Sequence, residues 1–328
     1  MKWSENLRSL YRGIKLGTGV AKATLTKPRV EPRLTPLEGG RLVGFDGFGQ
    51  NPGKLRMLAY VPTGVAGSPL VVLLHGCGQD ATAFAVDSGW IELADRLHFP
   101  LVIPEQAEAN NAGRCFQWFH PRDTGRGEGE AASIASMTHA AIRRFQSDPR
   151  QIFIVGLSAG GAMAAAMLAA YPDLYAAGAS VAGLPVGAAR SGMQAMMRMA
   201  SAGPEQSPEA WADHVRAAAP DGFTGPWPRL SVWQGQGDTT VAPENAHLLT
   251  TQWRALHGLA APAMAEQVRN GVQHRVWPDG TQRAVELWSL PHLAHAYPAG
   301  TRVVPPGRFV EQAPVDATAG IARFFGLD

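Results

Sequence analysis

Little in this chain points to chemistry that depends on cysteine, on dense charge or on a membrane. Cys77 and Cys115 are the only two cysteines in 328 residues. They are too few for a disulfide scaffold and lack the second pair that a structural zinc site needs. Charged side chains make up 17% of the chain and the net charge is +2, so a nucleic-acid partner is not expected. No apolar run reaches the ~18 residues of a membrane span, and the N-terminus has no continuous apolar stretch like that of a signal peptide. The expectation is a soluble, cytoplasmic chain that is not classically secreted. What is plentiful is hydrophobic residues, 45%, together with 37 Gly and 25 Pro. That is the composition of a folded protein rich in turns. At this length a single large core is the default. There is no internal repeat or low-complexity tract, and nothing sets an oligomeric state.

The charge is unevenly spread. Residues 1–35 hold eight basic side chains against Glu5 and Glu31, a local net charge of +6. The remainder is therefore slightly acidic. The basic arm either seats on an anionic surface or is a solvated leader packed loosely on the domain, and its Ser, Thr and few acids also suit a transit peptide. The expected organisation is this arm over 1–35 and one domain over 36–328.

From Gly40 to Pro62 apolar and polar residues alternate around Gln50-Asn51-Pro52-Gly53, as in a hairpin. Pro69–Leu74, Leu101–Pro104 and Gln151–Val155 are short unbroken apolar runs, the signature of strands buried on both faces of a parallel sheet. Helical periodicity separates them, over Ala81–Leu97 and over Glu128–Phe145, where Ile134, Met137, Ala141 and Phe145 share a face. Further strands are predicted near Ala176–Ala182 and Leu230–Trp233, and helices over Ala242–His257 and Asp316–Phe325. A hairpin is predicted across Pro278-Asp279-Gly280. The rhythm predicts a mostly parallel, doubly wound sheet with helices on both faces. Residues 184–228 break the pattern and read as a cap-like insertion over the carboxyl ends of the strands. Met193, Met196, Met197 and Met199 within it are either a pliable acyl-binding cover or helix core.

The sharpest motif is Gly156-Leu157-Ser158-Ala159-Gly160, a G-x-S-x-G placed between a buried strand and an Ala-rich helix. A nucleophilic serine needs this strained strand-to-helix turn, and the flanking glycines leave room for backbone to approach backbone. Its hydroxyl is a poor nucleophile until a histidine takes the proton, and a carboxylate must fix that histidine's tautomer. The order Ser, acid, His that goes with this motif is that of the α/β-hydrolase fold.

Downstream of Ser158, Asp238 in Trp233-Gln-Gly-Gln-Gly-Asp238 follows a predicted strand, whereas Asp279 sits in a hairpin turn and Asp316 reads as a helix cap. Among His257, His274, His292 and His295, the loop Pro291–Gly300 favours His295 as base, with His292 its rival. That histidine pair has no Cys or acidic companions, so no metal is expected, and no cofactor is needed for triad chemistry. The oxyanion of acyl transfer needs two backbone donors. Ala159 and Cys77, the latter in the loop His75-Gly-Cys-Gly-Gln79 after the first buried strand, are the candidates. His75 is read as shaping that turn. Trp118 follows a strand's carboxyl end and is a candidate for the substrate cleft.

Taken together these residues resemble the polyhydroxybutyrate depolymerase and feruloyl esterase family of α/β-hydrolases. The similarity spans roughly Leu70 to Gly300 through LLHGCGQ, Cys115-Phe-Gln-Trp-Phe119, GLSAGGAM, VAGLPVG, WQGQGDTTV and HAYPAG. It implies Ser158, Asp238 and His295 as triad and Cys77 and Ala159 as oxyanion donors. It further implies Trp118 and neighbouring aromatics along the substrate cleft, and Cys77 close enough to Cys115 to bridge; Gln79 and Tyr297 are taken as further candidates for substrate contact. Pro291-His-Leu-Ala precedes His295 where the family more often has small, glycine-containing residues, and Tyr297 stands where Trp is common; both departures bear on acyl-pocket shape. The implied activity is hydrolysis of short hydroxyalkanoate esters, oligomers or polyesters. The alternatives are feruloyl or acetyl esters on plant polysaccharide, disfavoured by the lack of a signal peptide, and a non-catalytic binding module of the same fold. A polyester granule is one anionic surface the basic arm would suit.

Overall fold

The computed structural model describes residues 40–204, 206–260, 262–302 and 307–328, so the basic arm expected over 1–35 lies outside the described residues. The chain enters as an antiparallel pair, β1 (Gly40–Phe45) and β2 (Arg56–Pro62). There follow β3 (Leu70–Leu74), α1 (Ala81–Asp87), α2 (Trp90–Leu97), β4 (Leu101–Glu105), α3 (Pro121–Thr124), α4 (Gly129–Phe145), β5 (Ile152–Leu157), α5 (Ala159–Ala170) and β6 (Ala177–Val181). The second half runs α6 (Gly192–Ala200), α7 (Pro208–Ala218), β7 (Arg229–Gly235), α8 (Glu244–Leu256), β8 (Ala265–Arg269), β9 (Val272–Asp279), β10 (Gln282–Leu290), β11 (Tyr297–Pro298), β12 (Val310–Glu311) and α9 (Ala317–Phe325).

One ten-stranded sheet, in the order β1-β2-β4-β3-β5-β6-β7-β10-β9-β8, organises the molecule. Its six middle strands, β4 to β10 in that order, are parallel, and an antiparallel pair closes each edge. The unbroken apolar runs form the centre because every residue of β3, β4, β5 and β6 is buried. Alternation then divides each strand between two cores. Leu70, Val72 and Leu74 of β3 face one with α4 and α5, while Val71 and Leu73 face the other with α1, α2 and α9. This is the α/β-hydrolase fold with helices on both faces.

Three departures from the sequence reading have local causes. Residues 81–97 form two helices, broken at Ser88-Gly89. Gly89 is left-handed (φ 81°), and the Ser88 carbonyl accepts from Arg302 Nη2 and Thr318 Oγ1, both at 2.7 Å, instead of continuing a helix. Strand β8 escaped notice because all five of its residues are exposed, without the alternation of a half-buried strand. The 184–228 segment is only partly a cap. α7 buries Trp211 and packs on α5 and α8 in the helical layer, while α6 stands at the carboxyl ends, where the Ala242 amide donates to the Met199 carbonyl at 2.8 Å.

Candidate active site

Ser158 sits on the turn from β5 to α5 with φ 56° and ψ −119°, a left-handed strain that surrounding backbone holds in place. Its amide donates to the Val181 carbonyl at 2.8 Å. The two motif glycines are sterically required. A Cβ on Gly156 would lie 2.1 Å from the Gly160 carbonyl oxygen, and one on Gly160 would lie 2.2 Å from that of Leu74. The first intrahelical bond of α5 runs from the Ala162 amide to the Ser158 carbonyl. The Ala159 amide therefore precedes the helical ladder, at the positive end of a twelve-residue helix.

Asp238 and His295 arrive from neighbouring strand ends, after β7 and β10. Gly235 and Gly237 permit this meeting, since a Cβ on Gly235 would lie 2.3 Å from the Leu293 carbonyl oxygen and the Gly237 amide donates to that same oxygen at 3.0 Å. His295 Nδ1 lies 2.7 Å from Asp238 Oδ2 and Nε2 lies 2.9 Å from Ser158 Oγ. A carboxylate only accepts, so Nδ1 carries the proton and Nε2 is left to accept from the serine hydroxyl. Asp238 Oδ1 accepts from the Thr240 and Val241 amides, each at 2.8 Å, and Oδ2 also from Gln234 Nε2 at 3.1 Å. The three residues, Ser158, Asp238 and His295, are 7%, 5% and 9% exposed, dry enough for these contacts to be strong.

The loop after β3 lies across from this relay. His75 is buried, and that burial pulls its pKa down. The neutral ring accepts at Nε2 from the Gln106 amide (3.1 Å) and donates from Nδ1 to the Gly76 carbonyl (2.8 Å), which fixes the turn. Cys77, the candidate second oxyanion donor, is disulfide-bonded to Cys115. The bridge ties the turn to the Cys115–Phe119 segment.

That segment is held from beneath by Glu130, which the sequence reading missed. Glu130 Oε2 accepts from the Gln117 amide at 2.8 Å, and Oε1 from Gln106 Nε2, which also donates to the Cys115 carbonyl at 3.1 Å. Burial pushes this carboxyl up to about 8, only partly offset by the Gln117 hydrogen bond. A glutamate in a first helical turn reads from sequence as a solvated partner of the helix dipole, so no signal marked it. Gln234 was equally unmarked, although a polar residue inside an otherwise apolar strand is a hint that it serves a buried partner. Phe309, edge-on to His295 at 5.8 Å, gave none.

Two of the residues expected at the substrate have their side chains hydrogen-bonded within the protein. Tyr297 is fully buried, with its hydroxyl 3.0 Å from Trp90 Nε1 and 2.8 Å from Thr318 Oγ1 and its ring edge-on to Phe84. The Gln79 side-chain amide is spent on the loop itself, Oε1 accepting from the Gly76 amide at 2.8 Å and Nε2 donating to the Arg308 carbonyl. Trp118 is buried in the cluster that holds Ala159 and packs edge-on to the partly exposed Phe119 at 5.6 Å. Of the alternatives for the relay, His292 is exposed and His257 contacts the Pro228 carbonyl. His274 pairs with Glu286, Asp279 is exposed and Asp316 caps α9.

A family model described as Esterase PHB depolymerase matches residues 55–275. A poly(3-hydroxyalkanoate) depolymerase C from Paucimonas lemoignei is 37% identical over 294 residues, 87% of this chain and 70% of that protein. An acetylxylan esterase from Coprinopsis cinerea is 32% identical over 286 residues, 83% of this chain and 74% of that protein. Among solved structures, an acetyl xylan esterase from Aspergillus awamori shares the fold with a TM-score of 0.75 at 23% identity, covering 88% of this chain and 100% of that one.

Proposed function

The chain belongs to the Esterase PHB depolymerase family of carboxylic ester hydrolases, and we propose that it cleaves short hydroxyalkanoate esters through an acyl-enzyme on Ser158. The observation that carries this reading is the relay from Asp238 through His295 to Ser158, at 2.7 and 2.9 Å. His295 Nε2 takes the hydroxyl proton as Oγ attacks the ester carbonyl. The oxygen that becomes negative faces the amides of Ala159 and Cys77. The bond to the alcohol oxygen breaks, His295 returns the proton to that oxygen, and water repeats the sequence to release the acid.

The hydroxyalkanoate assignment leans on the relative named as a poly(3-hydroxyalkanoate) depolymerase, which is nearer in identity than the acetylxylan esterase. The second reading, acetyl or feruloyl esters on polysaccharide, keeps the same chemistry. Initial rates on a 3-hydroxybutyrate oligomer, methyl ferulate and acetylated xylan, each beside Ser158→Ala, separate them; preference for either plant ester overturns the first reading. The Cys77–Cys115 bridge favours an oxidising compartment over the cytoplasmic one expected from the N-terminal sequence, and counting free thiols in freshly lysed cells distinguishes the two. Attachment of the basic arm to a polyester granule is tested by deleting residues 1–35; undiminished granule binding removes it.

A further inference from the structure

The turn that bears Cys77 carries two arginines that share one partner. Gly78 follows Cys77, and its carbonyl accepts from Arg114 Nη2 at 3.2 Å and from Arg308 Nη1 at 3.3 Å. Both approaches are fixed by backbone. The Gly78 amide donates to the Gly113 carbonyl at 2.8 Å, which holds the loop of Arg114 against the turn. The Gln79 side chain donates to the Arg308 carbonyl, and a Cβ on Gly78 would lie 2.7 Å from Arg308 Nη1. The Arg308 guanidinium lies over the Phe309 ring, 5.0 Å from its centre, and Phe309 is the residue that stands edge-on to His295. Phe309 is left-handed (φ 61°), a conformation that a bulky side chain keeps only where its surroundings impose it. Its carbonyl accepts from the Tyr297 amide at 2.8 Å. Among the described residues no carboxylate forms an ion pair with either guanidinium. Asp80 spends Oδ1 on the cap of α1, and Asp87 lies against Gly307. Two cations that converge on one neutral oxygen repel each other unless an anion joins them.

We propose that Arg114 and Arg308 bind the free carboxylate of the departing 3-hydroxy acid, so that the enzyme favours the ester next to the carboxyl end of a hydroxyalkanoate oligomer. The inference rests on the hydroxyalkanoate-ester reading of Ser158 and narrows the substrate of that same site. His295 returns its proton to the alcohol oxygen, so the departing alcohol lies beside His295, the residue that Phe309 and Arg308 flank. In a 3-hydroxy acid only the carbinol carbon and one methylene separate that oxygen from the carboxylate, a short reach. Guanidinium groups meet carboxylates through paired, charge-assisted hydrogen bonds. An acetyl or feruloyl ester of a neutral sugar offers them no charge.

The test compares the 3-hydroxybutyrate dimer with its terminal carboxamide, which keeps the shape and removes the charge, by following the loss of each at neutral pH. Wild type is expected to favour the acid in kcat/KM by at least about fivefold, a figure discounted for solvent at the rim. The preference should shrink as salt is added. Arg308→Gln and Arg114→Gln should each lower it, and the double variant should bring the two dimers to within about twofold of each other. Equal wild-type rates on the two dimers would overturn the carboxylate site and leave the esterase reading standing, as would a double variant that keeps the wild-type preference. Variants that slow both dimers alike would also overturn it, since that is the mark of a loosened turn. A wild-type enzyme that cleaves acetylated xylan but neither dimer would remove the hydroxyalkanoate reading itself, and the site with it.

Discussion

Replacing Asp238 with Asn preserves size and removes charge, and the surroundings decide which way the new amide turns. The Oδ1 position accepts from two backbone amides at 2.8 Å, those of Thr240 and Val241, so an NH2 group there would face two donors. The NH2 must take the Oδ2 position, 2.7 Å from His295 Nδ1. His295 then accepts at Nδ1 and carries its proton on Nε2, aimed at Ser158 Oγ, and in that tautomer it cannot take the serine proton. The expected fall in kcat is about 10⁴-fold, equivalent to about 5 kcal/mol of transition-state stabilisation. Gln234, now facing the NH2 with its own Nε2, has to turn its amide, which costs stability by about 1–2 kcal/mol at most. The assay is kcat and KM on a soluble p-nitrophenyl ester, with a urea denaturation curve as the control for folding. A folded Asp238→Asn enzyme with kcat within about tenfold of wild type would refute the tautomer reasoning.

Burial raises the Glu130 carboxyl from 4.5 to about 8, so the fold favours its neutral form; that contribution is full below 4.5 and lost as pH rises through about 8. The wild type should therefore lose more urea resistance between pH 6 and pH 9 than Glu130→Gln does, and parallel pH slopes would remove Glu130 as the cause. Cys115→Ser opens a bridge between residues 38 apart, which on the chain-entropy account costs about 4 kcal/mol. It also frees the turn bearing Cys77, so kcat on the soluble ester should fall more than KM rises. A Cys115→Ser enzyme with the wild-type denaturation midpoint and kcat contradicts both expectations.

Much of the fold was legible because parallel-sheet physics writes itself into short windows. Leu70–Leu74 and Ile152–Leu157 are buried at every position, and an unbroken apolar run meets that demand without buried polar groups that need partners. Ser158 and Asp238 could be singled out because each follows a strand's carboxyl end marked by glycines that the close backbone approaches require, and His295 because it lies in the loop after the last predicted strand. What stayed hidden depends on partners remote in sequence. The break at Ser88 is set by Arg302 and Thr318, 214 and 230 residues away. Gln79 could not be told from a substrate ligand without Arg308 in view, nor Tyr297 without Trp90. Apolar residues at helical spacing read as core, which holds for Met199 but not for Met193 and Met197, because nothing in the spacing says which side of α6 meets the body of the protein.

The most direct test of the central claim is kcat/KM of Ser158→Ala against wild type on a soluble short-chain ester, with matched denaturation curves. If Ser158 Oγ is the attacking atom, turnover falls by at least about 10⁴-fold while the fold persists. A folded Ser158→Ala enzyme that hydrolyses the ester within about tenfold of the wild-type rate would contradict the assignment and place the chemistry on another group.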